Sequence, residues 1–102
     1  MKTLGTHNYY VYILTNKNKT VLYTGVTNDL KARLYFHTHP DALSKHFTTR
    51  YRCYYLIHFE HFQDVNLAIQ REKQIKGWRR EKKERMIKEY NPEWKFLNGE
   101  IE

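Results

Sequence analysis

Tyr10-Val11-Tyr12, then beyond a polar turn Tyr23-Thr24-Gly25, then a short run that holds Arg33 and His37: these residues decide how the chain folds. From Tyr9 to Leu14 every residue is aromatic, β-branched or leucine, which is strand composition, and Val21 to Val26 resumes the pattern. Thr15-Asn16-Lys17-Asn18-Lys19-Thr20 between them is polar and short, so the two strands are read as an antiparallel hairpin. Side chains alternate across a strand, which places Tyr10, Tyr12 and Leu14 on one face.

Thr27-Asn28-Asp29 is a helix N-cap signal ahead of Leu30. In the helix that follows, Leu30, Arg33, Leu34 and His37 fall at i, i+3, i+4 and i+7, so the Arg and His are expected on the leucine stripe and not toward solvent. A guanidinium there needs acceptors for its hydrogen bonds. A phosphate or a structural carboxylate would serve, or the side chain would snorkel to the surface. His39-Pro40 ends the helix, and the polar stretch to Arg50 reads as a loop that offers Lys45 and Arg50 to a phosphate or simply to water.

Arg52 to Glu60 is the third strand, apolar on both faces near its middle and so expected at the centre of the sheet. Asp64 caps a second helix that runs to about Lys76, with Val65, Ala68, Ile69, Glu72 and Ile75 on one stripe. Glu72 on that face calls for a cation, a metal or an Arg, or else it lies at the margin beside a surface lysine. Gly77 ends the helix and Trp78 opens the next turn. Between Lys73 and Lys88 the cations, Lys73, Lys76, Arg79 and Arg80 among them, far outnumber Glu81 and Glu84, which suits a phosphate-tracking surface or a solvated helix laced by i,i+4 pairs. Trp94 and Phe96 in the tail are expected to pack back on the core.

The 102 residues leave room for one domain, 1–102, with a core over about 9–94. An aromatic fraction of 16% marks a folded chain and not a disordered one. The formal charge of +7 points to a polyanionic partner. A membrane surface would need a wide apolar helix face, a bilayer span a much longer apolar run, and a signal peptide an apolar core in the first residues. None is present, so a cytoplasmic protein with no membrane partner is expected. Cys53 is the single cysteine and permits no internal disulfide, which fits a reducing compartment.

With Tyr10-Val11-Tyr12, Tyr23-Thr24-Gly25, Arg33, His37 and Glu72 in that order, the chain resembles the GIY-YIG nuclease superfamily, in particular its small single-domain bacterial group. The resemblance runs from about Tyr9 to Trp94 and is most specific over 22–30 and 71–78. It implies an α+β fold, a three-stranded antiparallel sheet flanked by helices in the order β-β-α-β-α-α. It further implies a metal-dependent endonuclease that hydrolyses DNA phosphodiesters, with one Mg²⁺ or Mn²⁺ on Glu72 and DNA repair or recombination as a setting. By position Tyr12 matches the tyrosine of the first motif, Tyr23 and Gly25 the ends of the second, Arg33 the helix arginine, His37 the site residue that follows it, and Glu72 the metal-binding acid. Tyr10 stands where the family name has glycine, and an asparagine seen near the metal in some relatives has no clear match.

In that chemistry a water attacks phosphorus, Arg33 neutralises charge on the non-bridging oxygens, and Tyr12, Tyr23 or His37 orients or deprotonates the water. A tyrosine base requires a phenol well below its usual pKa of about 10. DNA contacts are expected from Gly25, Lys45, Arg50, Lys73, Lys76, Arg79 and Arg80. The rival readings are a catalytically silent nucleic-acid-binding module of the same fold and, more remotely, a zinc protein built on Cys53, His58 and His61.

Overall fold

The computed structural model describes residues 8–38 and 51–101. Strands β1 (Tyr9–Thr15) and β2 (Leu22–Thr27) form the expected antiparallel hairpin, in register so that Tyr12 faces Gly25 and Leu14 faces Tyr23. The turn holds because the Asn16 side-chain oxygen accepts from the N–H groups of Thr20 (2.8 Å) and Val21 (3.2 Å), while Lys19 takes the left-handed conformation at φ 60°.

Strand β3 (Tyr55–Phe62) pairs antiparallel with the other side of β1, giving the order β2-β1-β3. The expectation that the third strand lies at the centre is therefore corrected: β1 is central and β3 is an edge. Its two-sided apolar pattern has another cause: both faces of the sheet are covered, Ile57 lying in one cluster and Leu56 in the other, while the C-terminal segment covers the outer edge. Leu97 N–H donates to the Leu56 carbonyl (2.7 Å), Asn91 Nδ2 to the Ile57 carbonyl (3.0 Å) and Asn98 Nδ2 to the Tyr54 carbonyl (3.0 Å), while Asn98 Oδ1 accepts from the Leu56 N–H (2.9 Å). Side-chain amides thus stand in for a fourth strand and close an edge that would otherwise be open to pairing. The expected start at Arg52 is also corrected. Arg52 sits at φ 56°, in a turn, and the strand begins at Tyr55.

Helices cover both faces. Helix α1 (Leu30–Thr38) is capped by Asp29, whose Oδ1 accepts from Ala32 N–H (3.0 Å), and it lays Leu30 and Leu34 on Tyr12, Leu14, Cys53 and Leu56. Helix α2 (Val65–Lys76), capped by Asp64, brings Ala68 and Ile75 to Val11, Ile13 and Ile57 on the opposite face. Helix α3 (Arg80–Tyr90) adds Met86 and Ile87 to that second cluster, and Trp78 and Trp94 pack against it. Phe96 stacks on Tyr55, ring centroids 4.3 Å apart. An α+β fold with a three-stranded antiparallel sheet flanked by helices is what the chain forms.

Candidate active site

Pairing within the hairpin assembles the first part of the site. Gly25 lies opposite Tyr12, and a Cβ at Gly25 would stand 2.5 Å from the Tyr12 hydroxyl oxygen and 2.6 Å from its ring Cζ. Only a residue without a side chain lets the buried Tyr12 ring lie across this strand. Tyr23, two residues earlier on β2, is on the same face. Its ring centre is 6.3 Å from that of Tyr12 at 47°, and the two phenols are hydrogen-bonded.

Two helices bring opposite charges to this phenol. Arg33 comes from α1, on the Tyr12 side of the sheet, and Glu72 from α2, which packs on the other side. Both act on the Tyr12 hydroxyl through space, the guanidinium favouring its ionisation and the carboxylate opposing it. Groups from all three segments thus act electrostatically on the Tyr12 hydroxyl. Arg33 itself is exposed, however, which corrects the expectation that it shares the buried stripe: Leu30 and Leu34 go inward and Arg33 stays at the solvent margin.

Tyr12 also departs from the expectation of a depressed phenol. Burial raises its pKa first, Tyr23 and Glu72 add to that, and Arg33 alone opposes them. At neutral pH Tyr12 is therefore a protonated phenol and a hydrogen-bond donor. Depth outweighs the nearby cation.

Glu72 has a side chain only 13% exposed, and its Oε2 lies 2.6 Å from Lys76 Nζ one turn on. Lys76 is thus spoken for, as the surface-lysine alternative had it. Of the other expected phosphate contacts, Lys73 and Arg79 are exposed, and Arg79 caps α3 by position without a side-chain bond. Arg80 is committed to the fold: it donates to the carbonyls of Thr20 (2.5 Å) and Lys19 (2.9 Å) and to Glu84 (2.7 Å), tying α3 to the hairpin turn. Lys45, Arg50 and the side chain of His37 lie outside the described residues.

A second polar cluster was not foreseen. His58 Nε2 meets Glu60 Oε2 at 2.8 Å, and Arg71 grips the same carboxylate through Nε (2.8 Å) and Nη2 (3.1 Å). Burial pushes the Glu60 carboxyl up, but the hydrogen bonds and charges of His58 and Arg71 outweigh it and bring it down to about 2. The signal was in the alternation along β3, which puts His58 and Glu60 on one face. This network removes His58 from the zinc reading. Cys53 is buried, its thiol pushed up to about 11 by desolvation, and among the described residues no three His, Cys, Asp or Glu gather to hold a metal.

Comparison with known proteins supports the family and the fold. The GIY-YIG catalytic domain matches residues 8–91. This chain belongs to the GIY-YIG family. A UPF0213 protein of Bacillus pumilus is 37% identical over 83 residues, spanning 81% of this chain and 82% of its own length. A second, from Natronomonas pharaonis, is 40% identical over 81 residues, 78% of this chain and 91% of its own. The solution NMR structure of a UPF0213 protein from Bacillus halodurans superposes with a TM-score of 0.56 at 26% identity, covering 85% of this chain and 89% of that one. Membership of the GIY-YIG family carries nuclease-type activity and a nucleic-acid substrate in general. Among the described residues no helix is long and apolar enough to cross a membrane.

The GIY-YIG site offers a metal one half-buried carboxylate, Glu72, and no cage. That donor set fits Mg²⁺ or Mn²⁺ held as Mg²⁺ is at phosphate sites, through one or two carboxylates together with substrate oxygens and water. Thr24, between the two motif residues Tyr23 and Gly25, buries a hydroxyl with no hydrogen-bond partner.

Proposed function

We propose that the protein is a metal-dependent endonuclease that hydrolyses DNA phosphodiesters, acting in the cytoplasm on single-stranded or structured DNA of the kind met in repair or recombination. The buried Tyr12 hydroxyl packed against Gly25, with the charges of Arg33 and Glu72 acting on it, supports this reading. A cation, an acid and a neutral phenol around one point suit a phosphate whose charge rises as water attacks.

Glu72 would hold one Mg²⁺ or Mn²⁺, which when bound supplies Lewis-acid stabilisation of the leaving 3′-oxygen. Arg33 neutralises the non-bridging oxygens. Tyr12, protonated and hydrogen-bonded to Tyr23, orients that second phenol, and the pair lines the place of the phosphate and the attacking water. By its position in the motif, His37 is the remaining candidate to take the water's proton. Gly25 keeps the strand open beside Tyr12, and Lys73 and Arg79, with Lys45, Arg50 and Lys76, are proposed to follow the DNA backbone. Arg80 contributes by fixing α3 to the hairpin.

A nuclease assay over single-stranded, nicked and branched DNA and matching RNA, with and without Mg²⁺, tests this, with Glu72→Gln as the blank. Metal-dependent cleavage of DNA that is lost in Glu72→Gln is the expected result. Equal cleavage by the variant would move the metal elsewhere. Salt-sensitive binding without product in every arm would leave a binding module of the same fold in place of an enzyme.

A further inference from the structure

Arg71 and Glu72 are neighbours in sequence and project about 100° apart around α2, to either side of the buried Ala68 and Ile75. Glu72 is paired with Lys76 on its own helix, whereas Arg71 turns to Glu60 on β3. Beyond Arg71, between α2 and α3, is a cavity of about 300 Å³ lined by Arg71, Trp78, Lys82, Arg85, Glu89 and Tyr90. None of these side chains takes part in the chemistry above.

The pocket's charges are unevenly spent. Arg71 is neutralised by Glu60 and steadied by Gln74 (2.7 Å), so it serves as a fixed wall, 5.2 Å from the centre of the Trp78 ring. Lys82 places its ammonium 4.6 Å from the same ring centre. Neither Lys82 nor Arg85 has a carboxylate within ion-pair distance among the described residues, although Glu89 shares the rim. Tyr90 closes the other end with 68% of its surface exposed. Two cations without an ion pair among the described residues, one of them resting on a half-buried indole, therefore stand beside an exposed phenol.

We propose that this pocket is a second nucleic-acid contact, which takes one unpaired nucleotide of a single strand. Its phosphate lies on Lys82 and Arg85, and its base stacks on the exposed Tyr90 ring. The aromatic group chooses the occupant: an acidic peptide or a duplex backbone would satisfy the cations but offers no free base to stack, whereas a single strand offers both. This rests on the proposed function only in taking nucleic acid as the polyanion, and not on cleavage.

Fluorescence anisotropy of a labelled oligothymidine, read without divalent metal in the Glu72→Gln background over a range of salt, tests it. The pair Lys82→Ala and Arg85→Ala is expected to weaken binding roughly 10-fold or more and to lower the slope of log K against log salt by roughly 0.7, the value for one phosphate on a single strand. Tyr90→Leu is expected to weaken it roughly 5- to 100-fold with the slope unchanged, the range for one lost base stack. All three residues are exposed, and thermal melts check that the variants stay folded. Binding equal to the parent in both variants overturns the proposal. So does loss in the charge variant alone with equal competition by polyglutamate, which marks a diffuse basic face. Arg33→Ala separates the two sites: if it alone removes binding, the pocket is refuted, whereas absence of cleavage with these losses intact refutes the nuclease and leaves the pocket standing.

Discussion

Two glutamates are held half-buried on either side of the same helix, and they have opposite fates. Glu60 on β3, with 18% of its side chain exposed, is gripped by His58 and by two nitrogens of Arg71 and is driven down to about 2. Glu72 on α2, with 13% exposed, has one lysine from its own helix. The first carboxylate is engaged on both oxygens by His58 from its own strand and by Arg71 from α2. The second is held by a single exposed, flexible ammonium that an incoming cation can displace. Equal burial therefore does not make equal acids: the partners decide which is structural and which is available.

The largest expected effects exchange the two roles. Glu72→Gln keeps the volume and removes the charge, and cleavage is expected to fall on the order of 10³-fold or more, the several kcal/mol that a Lewis acid contributes, with the melting temperature near that of the parent. Retained cleavage with a collapsed melting temperature would make Glu72 the structural acid and reverse the comparison. Arg33→Ala, which removes one charge-stabilising donor from an exposed position, is expected to cut turnover about 10²-fold with little change in stability. Turnover equal to the parent would assign Arg33 to the surface.

Next in size is Glu60→Gln, which should leave cleavage intact and lower stability at neutral pH. The Glu60 carboxyl titrates at about 2 in the folded chain against an ordinary 4.5. Its stabilisation, about 3 kcal/mol at 1.36 per unit, is complete above pH 4.5 and is lost as pH falls toward 2. Denaturant unfolding of parent and variant at pH 7 and at pH 2 should show the gap between them closing in acid. A gap that persists at pH 2 would mean that shape, and not charge, holds the cluster.

The smallest effect concerns Thr24. Its hydroxyl is buried without a partner, so Thr24→Val, which keeps the branch and removes the polar atom, should stabilise by about 1 kcal/mol with cleavage unchanged. A loss of cleavage in a stable variant would instead place that hydroxyl in the site.

Much of this arrangement was legible because it is local. Strand composition marked the hairpin, Asp29 and Asp64 marked the helix starts, and the spacing of Ala68, Glu72 and Ile75 placed an acid on an apolar face. The two-sided apolar pattern of β3 marks burial of both faces, which an edge strand between two helical layers has as much as a central one. Burial leaves a mark in sequence, whereas what closes the outer edge, here Asn91, Leu97 and Asn98 from the tail, does not. Arg33 was placed too deep because the two buried leucines occupy a narrower stripe than the spacing rule allows. The charged neighbours of Tyr12 could be named in advance, but the depth that overrides them could not.

By itself the sequence determined the order and type of the elements, the hairpin that sets Tyr12 against Gly25, and membership of the GIY-YIG family, since each depends on contacts a few residues apart or on a motif written along the chain. Only the tertiary structure decided which strand is central, which of two buried glutamates is left available, and that Tyr12 keeps its proton. Those outcomes turn on desolvation and on Coulomb interactions between groups far apart in the chain, and both depend on position in space and not on position in sequence.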